Sequence, residues 1–353
     1  MIDFRFNYPV LDSVHQDLTE SLHSLQFDNK YLRLTPPEGD PEDRGIAAEW
    51  LSKPDYQIKS DSVFIACGGH HAVMTIIIAA GLSGKSVLVD ALTYNGFIAS
   101  ASMLGVNLIP CPIDEHGIVP SEIAKLCQSG NIAAIYLMPT IHNPLCYIMP
   151  LSRRIELVEV ARQFDLTIID DDAYGFLAPE APVSFAHLAP ERAFFIYSFA
   201  KVIAPGVKTS YIVVPEKWKN SLSNAIRMTS SGPVILFNHI IGSWIESGKM
   251  SEMIGEKRRL AGVKQRIVQE VLAGHRYITQ PTSYHFWLPF PESTNAFQFG
   301  EGLIKKGVEV VTSQAYQIVN DPKHSGIRIA LGNVPDENTL RKGLTIISES
   351  LKF

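Results

Sequence analysis

The sequence predicts an α/β protein: a large domain with a mostly parallel sheet covered by helices on both faces, and a smaller C-terminal α+β domain. Two patterns predict it. From Ser62 onward, short apolar runs alternate with longer stretches of helical period, as in a parallel sheet sheltered on both sides. After about Ser231 the alternation gives way to a long helical region and a few separate strand candidates. A chain of 353 residues also exceeds what one simple core usually serves. The expected division is an N-terminal arm over 1–38, a large domain over 39–233, and an interdomain helix with the small domain over 234–353.

In chain order, an amphipathic stretch from Leu11 to Leu25 comes first. Thr35–Asp43 is punctuated by Pro36, Pro37, Gly39 and Pro41 and reads as irregular. Strands are expected over Ser62–Cys67 and Ser86–Asp90, with a helix over His71–Leu82 between them. Further β-rich runs are Val106–Pro110, Ile132–Leu137, Leu166–Asp170, Ala193–Tyr197 and Tyr211–Val214, with helices such as Ser121–Cys127 and Ser152–Phe164 among them. A helical region over Val234–Leu272 follows. Strand candidates at His285–Leu288, Val308–Thr312 and Gly326–Ala330, then a helix over Asn338–Leu351, complete the chain. In such folds the acting residues gather at the carboxyl ends of strands.

Composition excludes several classes. A net charge of −5 argues against nucleic-acid binding, and Lys257-Arg258-Arg259 is short enough to read as a solvated helix face. The four cysteines, Cys67, Cys111, Cys127 and Cys146, lack paired spacing, so neither a zinc site nor a disulfide framework is expected. No apolar leader opens the chain and no apolar run reaches bilayer length. A soluble, cytoplasmic protein with no membrane contact is the expectation.

Two segments carry chemistry. In Ile169-Asp-Asp-Asp-Ala-Tyr174, three carboxylates close a strand, a costly arrangement unless something positive sits nearby. A solvated loop with a capping Asp is the plain reading; a magnesium site would lack its P-loop lysine. In Tyr197-Ser-Phe-Ala-Lys-Val-Ile203, Lys201 follows a strand and is flanked by Phe199, Ala200, Val202 and Ile203. Lysines usually lie at the surface, but desolvation there would free the amine as nucleophile and base. A carboxylate strand end about 30 residues before such a lysine suits a pyridoxal phosphate site. His70 and His71 are adjacent on a helix start and cannot face one way, so no metal is expected. His285 and Trp287 read as strand packing, although His285 could approach a substrate; Tyr316 stays open.

With these motifs in order, the chain resembles a fold-type I pyridoxal phosphate enzyme of the class I/II aminotransferase superfamily. Within it, the likeness is nearest to the aminotransferase-like domain of MocR-type regulators and their free-standing relatives. It runs from about Gly39 to the C-terminus. The resemblance implies that pyridoxal phosphate forms a Schiff base with Lys201, which later shuttles a proton. Asp171 would bind the pyridinium nitrogen and keep it protonated. Tyr174 and Asn143 would hydrogen-bond the phenolic oxygen, and Tyr94 would stack on the ring. The turn Cys67-Gly-Gly-His-His-Ala72 would offer the amides of Gly69 and His70 to the phosphate at a helix N-terminus, completed by Ser198 and Lys208. Arg328, helped by Asn143, would take the substrate α-carboxylate.

The chain departs from the family's pattern at four places. Ala200 and Lys208 stand where serine and arginine are usual, Cys146 where a turn glycine is usual, and Leu34 where a tyrosine usually reaches across a homodimer. Tyr31 could replace that tyrosine. The expected function is transamination between an α-amino acid and a 2-oxo acid. Its rivals are another outcome at Cα (oxidase, racemase, decarboxylase or eliminase) and a non-enzymatic ligand-sensing domain. No winged-helix segment precedes the likeness, which counts against the sensor.

Overall fold

A computed structural model describes residues 1–351. Its centre is a sheet of seven strands: β1 (Val63–Ala66), β2 (Ser86–Asp90), β3 (Asn107–Cys111), β4 (Ile132–Leu137), β5 (Thr167–Asp171), β6 (Ala193–Ser198) and β7 (Ser210–Val213). They lie in the order β1-β7-β6-β5-β4-β2-β3. All neighbours are parallel except β7, which runs antiparallel to both β1 and β6. The α/β class is therefore as the sequence predicts.

The strands are buried on both faces because their side chains alternate at period two. Ile168 packs with Leu137, Leu157 and Leu88 on one side. Ile169 packs with Tyr136, Phe97 and Phe194 on the other. Helices Leu151–Gln163 and Asn95–Met103 supply those opposing layers.

The reversed strand has a consequence for chemistry. Ser210, the first residue of β7, pairs with Ala66 at the end of β1 and with Ser198 at the end of β6. Lys208, Ser198 and the turn after β1 are thus delivered to one edge of the sheet.

A second sheet has β10 (Gly326–Ala330) between β8 (His285–Pro289) and β9 (Val311–Thr312). Arg328 sits on that central strand, opposite Trp287 and Val311. The start of the chain is tied to the same region. Ile2–Asp3 pairs in parallel with Val308–Glu309, and the Ala330 amide donates to the Phe4 carbonyl at 2.9 Å.

Four local expectations are corrected. The helical region over Val234–Leu272 is two helices, Ile235–Glu246 and Lys249–Val271, interrupted at Gly248, whose φ of +81° favours glycine. Val308–Thr312 is split, because its first half pairs with the chain's beginning and its second with β10. Pro41 does not prolong an irregular segment but opens a helix over Pro41–Leu51, capped by the Asp40 side chain; proline suits the first helical position. Lys257-Arg258-Arg259 is not a solvated face: Lys257 is fully buried and Arg258 donates to the Phe176 carbonyl at 2.7 Å. Position on the helix, rather than charge, decides which of the three meets solvent.

Candidate functional site

The sequence places Asp171 at the end of β5 and Lys201 on the short helix Phe199–Val202 that follows β6. Parallel pairing of these adjacent strands brings the two ends together. Asp171 is buried, and the Tyr136 hydroxyl donates to its Oδ2 at 2.7 Å. Burial pushes its pKa up to about 6, while the Tyr136 hydrogen bond and the nearby Lys201 amine hold it from rising further. Burial and the charges of Arg328 and Lys257 press the Lys201 amine down to about 7, against the pull of Asp171. An amine so poised is substantially neutral near physiological pH.

Its neighbours come from the beginning of the chain. Lys201 Nζ donates to the Asn7 carbonyl at 2.8 Å and lies 3.5 Å from the Tyr8 ring centroid. The Tyr174 ring is 5.8 Å away.

The phosphate-side residues converge as the topology requires. Gly68, at φ +90°, caps the helix Gly69–Ala79. A Cβ added at Gly69 would meet Ser198 Oγ at 3.4 Å, and one at Gly68 would meet the Lys208 Cβ at 3.5 Å. The bare turn therefore leaves a cradle bounded by a hydroxyl, an exposed lysine and a helix N-terminus. The two histidines diverge as expected. His70 Nε2 lies 2.9 Å from the Tyr94 hydroxyl, whereas His71 Nδ1 accepts from the Cys67 amide at 3.0 Å.

Arg328 is buried, and its Nη1 donates to Asn143 Oδ1 at 3.3 Å. Its Nη2 donates to the Arg5 carbonyl, and its Nε has no partner among the described residues. The guanidinium lies 5.7 Å from the Tyr316 ring centroid. Cys146 takes φ +59° without glycine, turning the chain after Asn143. The loop thus keeps a left-handed residue despite the substitution.

The neighbours of Asp171 in its carboxylate run have a different fate. Asp170 Oδ2 accepts from the Phe185 amide at 2.9 Å, and burial pushes Asp170 up to about 7. The charge of Arg154 opposes that rise for Asp170 and Asp172. Arg154, itself buried, donates to the carbonyls of Met149, Val183 and Pro139. It is the positive group for two of the three clustered carboxylates, Lys201 serving Asp171.

Sequence reasoning missed Asn7, Tyr8, Arg154 and Lys257. It read His285 as strand packing that could still approach a substrate; the ring is fully buried in a polar network, 5.1 Å from the Tyr174 ring. Lys257 Nζ donates to the carbonyls of Pro9, Lys201 (2.9 Å) and Ile203 (3.2 Å). Only the proximity of Lys257 to a run of basic residues was visible, and that pointed outward. Leu34 is exposed, and Tyr31 stacks on Phe27 with centroids 5.1 Å apart.

Comparison with known proteins identifies the family. The sequence model of the family described as "Aminotransferase class I and II" matches residues 3–347, and the chain belongs to that family. Among curated relatives, it is 24% identical to the uncharacterized HTH-type transcriptional regulator YdeF of Bacillus subtilis, over 87% of this chain and 67% of the relative. It is 25% identical to the similar regulator YjiR of Escherichia coli, over 83% of this chain and 64% of the relative. The chain thus spans about two thirds of these regulators. It is also 24% identical to the 2-aminoadipate transaminase of Thermus thermophilus, over 79% of this chain and 70% of the relative. The solved structure of the alpha-aminoadipate aminotransferase LysN from Thermus thermophilus shares the fold, with a TM-score of 0.89 at 20% identity over 99% of this chain and 92% of LysN. Among the described residues no helix is long and apolar enough to cross a membrane.

Proposed function

We propose that the protein is a pyridoxal phosphate-dependent aminotransferase that passes an amino group from an α-amino acid to a 2-oxo acid. The observation that carries this reading is the convergence of Lys201 and the buried Asp171 carboxylate at the ends of adjacent parallel strands, with the charge of Arg328 close enough to depress the Lys201 amine. The residues fit the cofactor. The cradle at Gly68–Gly69 has room for a phosphate against Ser198 Oγ, and Lys208 adds a cation. Lys201 would hold the cofactor covalently, Asp171 would hold its ring nitrogen, and Tyr174 and Asn143 would hydrogen-bond its phenolic oxygen. Tyr94 would cover the ring, with His70 behind its hydroxyl.

The bound cofactor supplies an electron sink for a carbanion at the substrate Cα. The chain's own residues do the rest. Lys201, with its amine free of a proton near neutrality, moves the Cα proton. Asp171 holds a negative charge where the ring is cationic, and Tyr136 fixes its orientation. Arg328 presents its planar fork to the α-carboxylate, and its unpartnered Nε is a donor still available for it. The Tyr8 ring, 3.5 Å from the Lys201 amine, shields it from water.

Adding an amino acid without an acceptor to the yellow holoprotein tests this. The visible band should be lost and a near-ultraviolet band gained as the amino group transfers. Retention of the visible band with every amino acid would sink the reading.

The regulators among the relatives support a second reading, in which the same pocket senses a ligand without turnover. Product formation over many cycles separates the two. A homodimer, with Tyr31 near the partner's phosphate, and a cytoplasmic location belong to this proposal, as does the partition of the chain at 38 and 233. Equilibrium sedimentation tests the dimer.

A further inference from the structure

We propose that Asn7 is a positioning residue that aims the Tyr174 hydroxyl proton into the site. The inference rests on the proposed cofactor reading and concerns this chain's own strap, residues 5–9, which crosses the pocket after the pairing of Ile2–Asp3.

Matching donors to acceptors fixes the orientation of the Asn7 amide. His285 Nε2 lies 3.1 Å from the His142 carbonyl, and a carbonyl only accepts. His285 therefore carries its proton on Nε2. Full burial keeps the ring neutral, with its pKa pushed down to about 3, so Nδ1 is an acceptor. Asn7 Nδ2 lies 3.4 Å from that Nδ1 and 3.2 Å from the Tyr174 hydroxyl. The Ser283 hydroxyl, 3.3 Å from the same nitrogen, donates instead to the His285 carbonyl at 2.7 Å.

The amide orientation of Asn7 follows. Its NH2 group must face His285, so one of its two protons goes to Nδ1 and the other to the Tyr174 oxygen. Tyr174 thus accepts from Asn7, and its own proton has no acceptor among the described residues except through the pocket. The hydroxyl is left as a donor aimed at whatever Lys201 holds. Arg328, Tyr8, Cys146 and Lys201 also face this hydroxyl, and none of them reaches it as a donor.

A donor to the cofactor's phenolic oxygen favours the form in which that oxygen bears its full negative charge. It therefore lowers the pH at which the proton shared between that oxygen and the Lys201 nitrogen is lost. Asn7→Leu keeps the branched four-atom side chain, adds no charge and removes the donor. The holoprotein's visible band should then titrate about one pH unit higher, the order of effect of one such hydrogen bond. Tyr174→Phe should raise the midpoint similarly, and the Asn7→Leu/Tyr174→Phe double variant should rise no further than Tyr174→Phe alone.

An unchanged midpoint in Asn7→Leu, or additive shifts in the double variant, would overturn the inference while leaving the cofactor reading intact. A colourless wild-type protein would instead remove the reading on which it rests. Should Asn7→Leu prove poorly folded, Asn7→Ala removes the same donor without adding charge. Its rise in the midpoint must vanish in the Tyr174→Phe background; a rise left undiminished there refutes the positioning role.

Discussion

Lys257 Nζ donates to the backbone carbonyl of Lys201 at 2.9 Å, so one buried lysine holds the turn that carries the other. The same ammonium also reaches the carbonyls of Pro9 and Ile203. Burial presses Lys257 toward neutrality, yet three acceptors take all three protons of an ammonium. The charged form is the one this site satisfies. Lys257 thereby ties the strap to the turn that carries Lys201.

Replacing Lys257 by methionine keeps the bulk and strands three buried carbonyls. Unfolding free energy should fall by about 2–3 kcal/mol, measured by urea denaturation. Cofactor retention on gel filtration should fall with it. A variant as stable as the wild type would mean that water replaces the ammonium.

The Lys201 amine should titrate near neutrality in the cofactor-free protein. It is a base whose pKa is lowered to about 7, so its neutral, reactive form is present above that pH. Acylation of Lys201, followed by peptide mass spectrometry, should show a midpoint near 7 rather than the ~10.4 of a solvated lysine. An ordinary midpoint would show that the pocket does not desolvate the amine.

Arg328→Lys keeps a positive charge but loses the fork. The KM for an amino acid should rise by roughly 10- to 100-fold, as expected for losing one charge-assisted hydrogen bond of about 1.5–3 kcal/mol. The midpoint of the visible band should move far less. An unaltered KM would place the carboxylate elsewhere.

Asp43, in the first turn of the helix Pro41–Leu51, is raised to about 7 by burial, with Asp40 and Glu42 adding to it. Its folded pKa lies above its unfolded value near 3.8. The native state therefore loses stability as pH rises from about 4 through 7. Asp43→Asn should raise Tm at pH 8 by at least about 2 °C, and the gain should shrink toward pH 4. Calorimetry at both pH values checks this; a gain independent of pH would refute the buried-carboxylate account.

The parts of the site that were legible in the sequence are those written within one strand and its following turn. Asp171 ends an apolar run, Lys201 sits between apolar neighbours just after another, and the double glycine precedes a helix. Their places needed only strand ends and a parallel sheet, whereas their proposed roles came from the resemblance. Arg328 was singled out through the family resemblance, since its β-rich run marked only a strand. Asn7 and Tyr8 were not, because no local pattern distinguishes a strap crossing a pocket from a loose arm. Lys257 was misread for the reverse reason: its neighbours Arg258 and Arg259 look solvated, and only packing turns one of the three inward.

Alternating short strands and helices follow from side-chain periodicity and from where apolar residues stop. Those are properties of neighbours in the chain, and the sequence alone determined them. Which atoms meet was decided only by the tertiary structure. The Lys201 amine reaches a carbonyl 194 residues away, and Arg328 reaches one 323 residues away. Contacts at such separations arise from burying whole elements against one another, and the polar groups caught between them must then find partners in the places that burial leaves.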